Sequence, residues 1–143
     1  MKTESIKFDQ IDRKWFIVDA KNQTLGRLSS KVAQVLRGKN KVNYSPHIDM
    51  SDFVIIINSD QIAVTGNKED SKKYWSHSGF PGGGKHTDYK NLKKNNKSEL
   101  ILYNAIKGML PSNKLSNKLI KHLKVYSGNS HPHESQKPEI LEI

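Results

Sequence analysis

Gly79-Phe80-Pro81-Gly82-Gly83-Gly84-Lys85-His86 places glycines beside a lysine in a way that invites phosphate chemistry. A loop of the G-x-x-x-x-G-K-[ST] type needs a hydroxyl after its lysine to hold Mg²⁺, with a buried strand leading in. Gly79 and Gly84 precede Lys85 at the required interval, but His86 takes the place of the hydroxyl and no buried strand precedes the loop. The dinucleotide fingerprint G-x-G-x-x-G must directly follow a first strand. The turn Asp19–Gly26 has one glycine, inside the helix that follows. No nucleotide cofactor is expected. Histidine could bind metal, yet His131 and His133 flank Pro132, too close for a pair one helical turn apart, while His47, His77 and His86 lack carboxylates at ligand spacing. Asp49 and Asp52 could form an acid/base pair, but they read as the turn before a strand, where Asp bonds its own backbone. Nothing marks any serine as a nucleophile, and the absence of cysteine excludes disulfides, zinc–thiolate sites and a Cys nucleophile. The expectation is no enzyme, no catalytic or metal-binding residues, no cofactor and no small-molecule substrate.

Cationic chemistry remains. Lys plus Arg is 24 against 14 Asp plus Glu, a net of +10 in 143 residues, and such an excess predicts a polyanionic partner. It is segregated. Lys31, Arg37, Lys39 and Lys41 occur between positions 31 and 48 without an acid, and Arg27 sits one helical turn before Lys31. From Lys85 to Lys124 there are ten lysines and two acids, Asp88 and Glu99, a local net of +8. Within this tract Lys114, Lys118 and Lys121 recur at helical spacing, where like charges repel by a few tenths of a kcal/mol per pair. A free helix gains nothing from that arrangement, whereas one lying along phosphates does. Lys107 and Lys124 extend the patch at both ends, and Gly82–Gly84 before Lys85 offers unencumbered N–H groups to a sugar–phosphate chain. Tyr74, Trp75 and Phe80 suit stacking on unpaired bases; for Tyr74 and Trp75, core packing is an equal alternative.

These residues need a scaffold. Trp15–Val18 and Phe53–Ile57 are continuous apolar runs of the kind buried on both faces of a parallel sheet. Between them Leu25, Leu28, Val32, Val35 and Leu36 form one helical face, with Thr24 placed to cap the start and Gly38 the end. A strand, a helix and a strand in that order make a parallel crossover unit. Ile62–Val64 reads as a short third strand, Ser98–Leu110 as a helix with Leu102, Ala105, Ile106, Met109 and Leu110 inward, Lys114–His122 as a short helix, and Leu123–Tyr126 as a last strand. Lys72–Ser78 is left unassigned and Gly79–Gly84 reads as a loop. The whole is an α/β fold, one domain over 1–143, with an N-terminal arm (1–13), helices on both faces of a small parallel sheet, and an extended tail (129–143). No apolar run approaches the ~18 residues of a membrane span, and the N-terminus lacks a signal-peptide core, so the chain reads as soluble and intracellular.

Four motifs then stand in order: Val42-Asn43-Tyr44-Ser45-Pro46-His47-Ile48-Asp49, Ala63-Val64-Thr65-Gly66-Asn67-Lys68, Ala105-Ile106-Lys107-Gly108-Met109-Leu110-Pro111, and Leu123-Lys124-Val125-Tyr126-Ser127-Gly128. Together they closely resemble the large-subunit ribosomal protein thirteen family, bacterial or organellar, from about Trp15 onward. Ser51 departs from the glycine usual before the aspartate of the second strand, and Ser116-Asn117-Lys118 replaces a Leu/Gly-Gly-Arg type of ending. The resemblance implies a three-layer α/β/α fold with a four-stranded, mainly parallel sheet. It also implies a structural role: binding large-subunit rRNA beside neighbouring ribosomal proteins, early in subunit assembly, in the cytoplasm or an organelle, with messenger RNA as a secondary ligand in some lineages. His47 and Lys68 join the RNA-binding candidates because these motifs present them.

Overall fold

A computed structural model describes residues 6–143. Trp15–Asp19 (β1) and Phe53–Ile57 (β2) pair in parallel, with Trp15 opposite Phe53 and Asp19 opposite Ile57. Leu123–Val125 (β5) adds outside β2, and Glu139–Ile140 (β6) adds outside β1, giving a four-stranded parallel sheet in the order β5-β2-β1-β6. Parallel neighbours need a crossover, and Leu25–Arg37 (α1) supplies the first one. Thr24 occupies the cap position through its carbonyl, which accepts from the Leu28 N–H at 3.0 Å; its side chain makes no cap bond. Gly38 ends the helix at φ 77°, and an added Cβ there would lie 2.7 Å from the Met50 carbonyl oxygen. Only glycine fits.

One hydrophobic cluster joins α1 to Val18, Val54, Ile56 and Leu123 on one sheet face. Ser98–Met109 (α4) enters the same cluster through Ile101, Leu102 and Ile106. The α/β class and the four-stranded parallel sheet therefore hold, with both long helices sharing that cluster. The alternate residues Trp15, Ile17, Phe53 and Ile55 point to the other face. There Trp15 stacks on Phe53 at 4.3 Å, and the His133 ring of the tail lies 5.3 Å from Trp15.

Several expectations shift. Met109 is 47% exposed, and Ile101 takes the inward place assigned to it; Met109 is the last helical residue. Ile62–Val64 is not a strand. Ile62 closes the 3₁₀ turn Ser59–Gln61 by donating to the Ser59 carbonyl at 3.4 Å, and Ala63 makes a single bridge, donating to the Gln23 carbonyl and accepting from Leu25, both at 2.9 Å. The helix expected over Lys114–His122 is Ser116–Leu119 (α5) followed by the 3₁₀ turn Ile120–His122, so Lys114 precedes it. Lys68–Ser71 forms a single turn (α2). The unassigned stretch becomes Lys73–His77 (β3), antiparallel to Gly84–Asp88 (β4), and Tyr89–Lys94 (α3) follows. The tail is extended except for a 3₁₀ turn at Glu134–Gln136. The first five residues of the expected N-terminal arm lie outside the described residues; the rest contains the turn Phe8–Gln10.

Candidate nucleic-acid interface

Helix α1 buries its apolar stripe and so turns Arg27 and Lys31 to solvent. Gly38 reverses the chain, which brings Lys39 back beside Lys31: the two line a cleft of about 200 Å³ with Gln34, Val35, Ile143 and one acid, Glu142. Arg37 is half-buried, its guanidinium 5.9 Å from the Tyr44 ring centroid. Lys41 departs from expectation. Its Nζ lies 2.7 Å from Asp52, whose side chain is 1% exposed, and it also donates to the Asp12 carbonyl at 2.5 Å. A carboxylate that deep needs a counter-charge, so Lys41 serves the interior.

The second tract gathers at the end of α4. Lys107 and Lys114 line a cleft of about 510 Å³ with Pro111, Asn113 and Asn117, shaped by the stop at Pro111 and the fold-back into α5. Lys118 and Lys121 continue along α5 and its 3₁₀ extension, exposed, while Leu119 and Ile120 are buried. Lys124 is half-buried opposite Ile55. Lys85 is exposed on β4, Lys68 opens α2, and His47 is exposed in the loop after Pro46; none of these three lines either cleft. Among the described residues, Lys41 alone of the thirteen candidates is in an ion pair; the other three pairs are Arg13–Asp49, Lys14–Glu139 and Lys90–Asp70.

The glycine loop differs in detail from the sequence reading. Gly84 belongs to β4, and the Gly83 N–H donates to the Phe80 carbonyl at 2.9 Å, so that donor is not available to a ligand. The aromatic alternatives separate. Tyr74 packs on the core with its hydroxyl buried and unpartnered, and burial, with the Tyr89 hydroxyl adding, pushes its pKa up to about 12. Trp75 is 63% and Phe80 74% exposed.

One grouping was invisible in the sequence. Ser51 donates its hydroxyl to Asp49 at 2.5 Å and meets His122 Nδ1, while Arg13 sits 3.5 Å from Asp49. A hydroxyl has one proton; since it goes to the carboxylate, the imidazole is the donor to Ser51. A serine nucleophile needs the opposite order, with histidine accepting the hydroxyl proton and the carboxylate behind it. Ser51 is also fully buried. The grouping is a structural clasp between the start of β2 and the approach to β5. His122, 71 residues from Ser51, carries no local signal that would reveal it. No group of three or more His, Asp or Glu among the described residues is placed to hold a metal, and no described helix is long and apolar enough to cross a membrane.

What emerges is a small basic α/β protein with no nucleophile–base arrangement among the described residues, with Lys31 and Lys39 at one cleft and Lys107 and Lys114 at another. The Ribosomal protein L13 family matches residues 13–132. Proteins called large ribosomal subunit protein uL13 are similar along the whole chain: 51% identity in Herpetosiphon aurantiacus and 48% in Thermoanaerobacter sp. (strain X514), each covering all of this chain and 99% of theirs, and 50% in Pelobacter propionicus with both chains fully covered. The chain belongs to the Ribosomal protein L13 family. It is a structural component of the large ribosomal subunit, serving translation, and not an enzyme.

Proposed function

We propose that this chain binds large-subunit rRNA through two cationic surfaces and, through that binding, enters the subunit early in assembly, beside neighbouring ribosomal proteins. The first surface is Arg27, Lys31, Arg37 and Lys39. The second runs from Lys107 through Lys114, Lys118 and Lys121 to Lys124, with Lys68, Lys85 and His47 as outlying contacts. The observation that carries this reading is that, among the described residues, twelve of the thirteen candidates make no ion pair, although the chain has 14 acids. Cations left without carboxylates are matched to phosphates, and each phosphate contact releases condensed counterions. Specificity would come from shape complementarity to folded RNA, with no cofactor or membrane involved. The location follows the ribosome, cytoplasmic or organellar. Messenger RNA offers the same phosphates, and a large share of the protein in light fractions of a ribosome gradient would favour that secondary role.

The test is the salt dependence of binding to deproteinised large-subunit rRNA. Replacing Lys114, Lys118 and Lys121 with Ala should lower the log–log salt slope by up to about three, with unfolding free energy unchanged within about 0.5 kcal/mol. Lys41→Ala is the internal control. It strands Asp52 and should destabilise by about 2–4 kcal/mol, somewhat below a fully buried pair because Lys41 keeps some solvent, yet leave the slope alone. An unchanged slope in the folded triple variant would falsify the placement of this surface on RNA.

A further inference from the structure

The β3–β4 hairpin has two unlike faces. Tyr74 turns toward the core cluster, whereas Trp75, His77 and the cross-strand partner of Trp75, His86, share the opposite face and are exposed. The Trp75 and His77 rings lie 5.6 Å apart, tilted by 33°. The tip is stiff. Phe80-Pro81-Gly82-Gly83 closes with the Gly83 N–H on the Phe80 carbonyl, and Pro81 followed by Gly82 at φ 72° is the type II signature. Ser78 bonds Gly83 across the hairpin, and a Cβ on Gly83 would lie 2.9 Å from the Phe80 carbonyl oxygen. Phe80 is thereby held outward, 74% exposed, on a turn that cannot relax to hide it. The hairpin, positions 73 to 88, holds two lysines, two histidines and one acid, Asp88, which lies opposite Lys73 at the end away from the tip.

We infer that this hairpin is a stacking platform for unpaired RNA bases, with Trp75 and Phe80 as the stacking rings, Lys73 as a phosphate contact on the Trp75 face and Lys85, opposite Ser76, as one from the other face. Large exposed rings lose favourable burial, and the fold gains nothing visible from holding them out. The Trp75 face carries Lys73, His77 and His86, and its one acid, Asp88, lies opposite Lys73 at the end away from the tip; the stretch toward the tip, with Lys85 and no acid, is complementary to phosphate. Duplex RNA hides the faces of its bases, so the ligand is a loop, bulge or splayed nucleotide. The inference rests on the rRNA-binding reading above and adds the kind of RNA element read.

Three probes separate the possibilities: a labelled oligoadenylate of about 12 nucleotides, within the reach of one small domain, the same length as duplex, and deproteinised large-subunit rRNA of Pelobacter propionicus. Trp75→Ala with Phe80→Ala should weaken single-strand and rRNA binding roughly five- to 150-fold per lost stack. The salt slope and melting temperature should stay unchanged, since neither ring is buried or charged. Trp75→Phe should restore most of the affinity lost at that position. In a Trp15→Phe background, where Trp75 is the only indole, the single strand should quench its emission and the duplex should not. Wild-type affinity in the double variant overturns the platform while leaving rRNA binding standing. A slope that falls with affinity also overturns it, because the loss would then be electrostatic. Full RNA affinity with exclusion from large subunits overturns it too, and assigns the face to a neighbouring protein. If the wild type binds none of the probes, the rRNA reading fails and the platform fails with it.

Discussion

At the level of single residues, His122 and Asp49 tie the stability of this protein to pH. Burial works against the charge on His122, and Arg13 and Lys124 add to that; Asp49 opposes them only in part, so the imidazole pKa lies below its ordinary 6.5. Its ring also lies 4.5 Å from Phe53. As pH falls below 6.5 the unfolded chain takes up this proton before the folded one, so a contribution fully present above 6.5 fades as pH drops toward the depressed value. For Asp49 burial raises the pKa, but the Ser51 hydroxyl and N–H, then His122 and Arg13, outweigh it and hold the carboxyl below 3.8. That second contribution is present above 3.8 and lost as pH falls through the folded value. Acid unfolding should therefore weaken the fold in two steps, one beginning below about 6.5 and one below about 4. In His122→Gln the first step should disappear from a melting-temperature series while the second remains; a first step that persists would place the titration elsewhere.

Secondary-structure elements were legible where a local signal set them. The apolar runs of β1 and β2 and the stripe of α1 follow directly from hydrophobic pattern, as does Gly38 at the end of α1. At Gly38 both conformation and space are constrained, so Gly38→Ala should cost at least about 2 kcal/mol, beyond the ~1–2 of a left-handed residue alone, because the Met50 backbone must also move. Denaturant melts of this variant check it; a cost near zero would mean the loop before β2 shifts freely. Elements set by long-range pairing were not legible. Lys73–His77 has little apolar alternation, and only Gly84–Asp88 across the turn makes it a strand. Ile62–Val64 has the composition of a strand but no neighbour to complete its ladder. The candidate site divides similarly. Charge tracts place most of the cations outside, but nothing local tells Lys41 from Lys39; only Asp52, folded beneath it, does.

Across the whole molecule, segregation of charge and closure of the sheet act together. The exposed cations repel one another, and the parallel sheet beneath must withstand that until a polyanion arrives. Its outer strand β6 has two residues, reinforced by the exposed Lys14–Glu139 pair at 3.6 Å, worth no more than about 1 kcal/mol. Leu141 and Ile143 beyond it pack on the core. Removing residues 138–143 should therefore cost about 2–4 kcal/mol, from two partly buried apolar side chains. It should also bare the edge of β1, detectable as self-association by light scattering. A truncated chain that stays monomeric and equally stable would show β6 to be ornamental.

Position 17 and position 140 are side by side in the sheet. A nascent chain growing at about 5–20 residues per second has made β1 roughly 6–25 s before its outer partner exists. Throughout that interval Phe16 and Ile17 offer an open hydrogen-bonding edge. The strand that comes last in chain order is the one that shields the first, so this edge of the sheet stays open until residues 139 and 140 have been made.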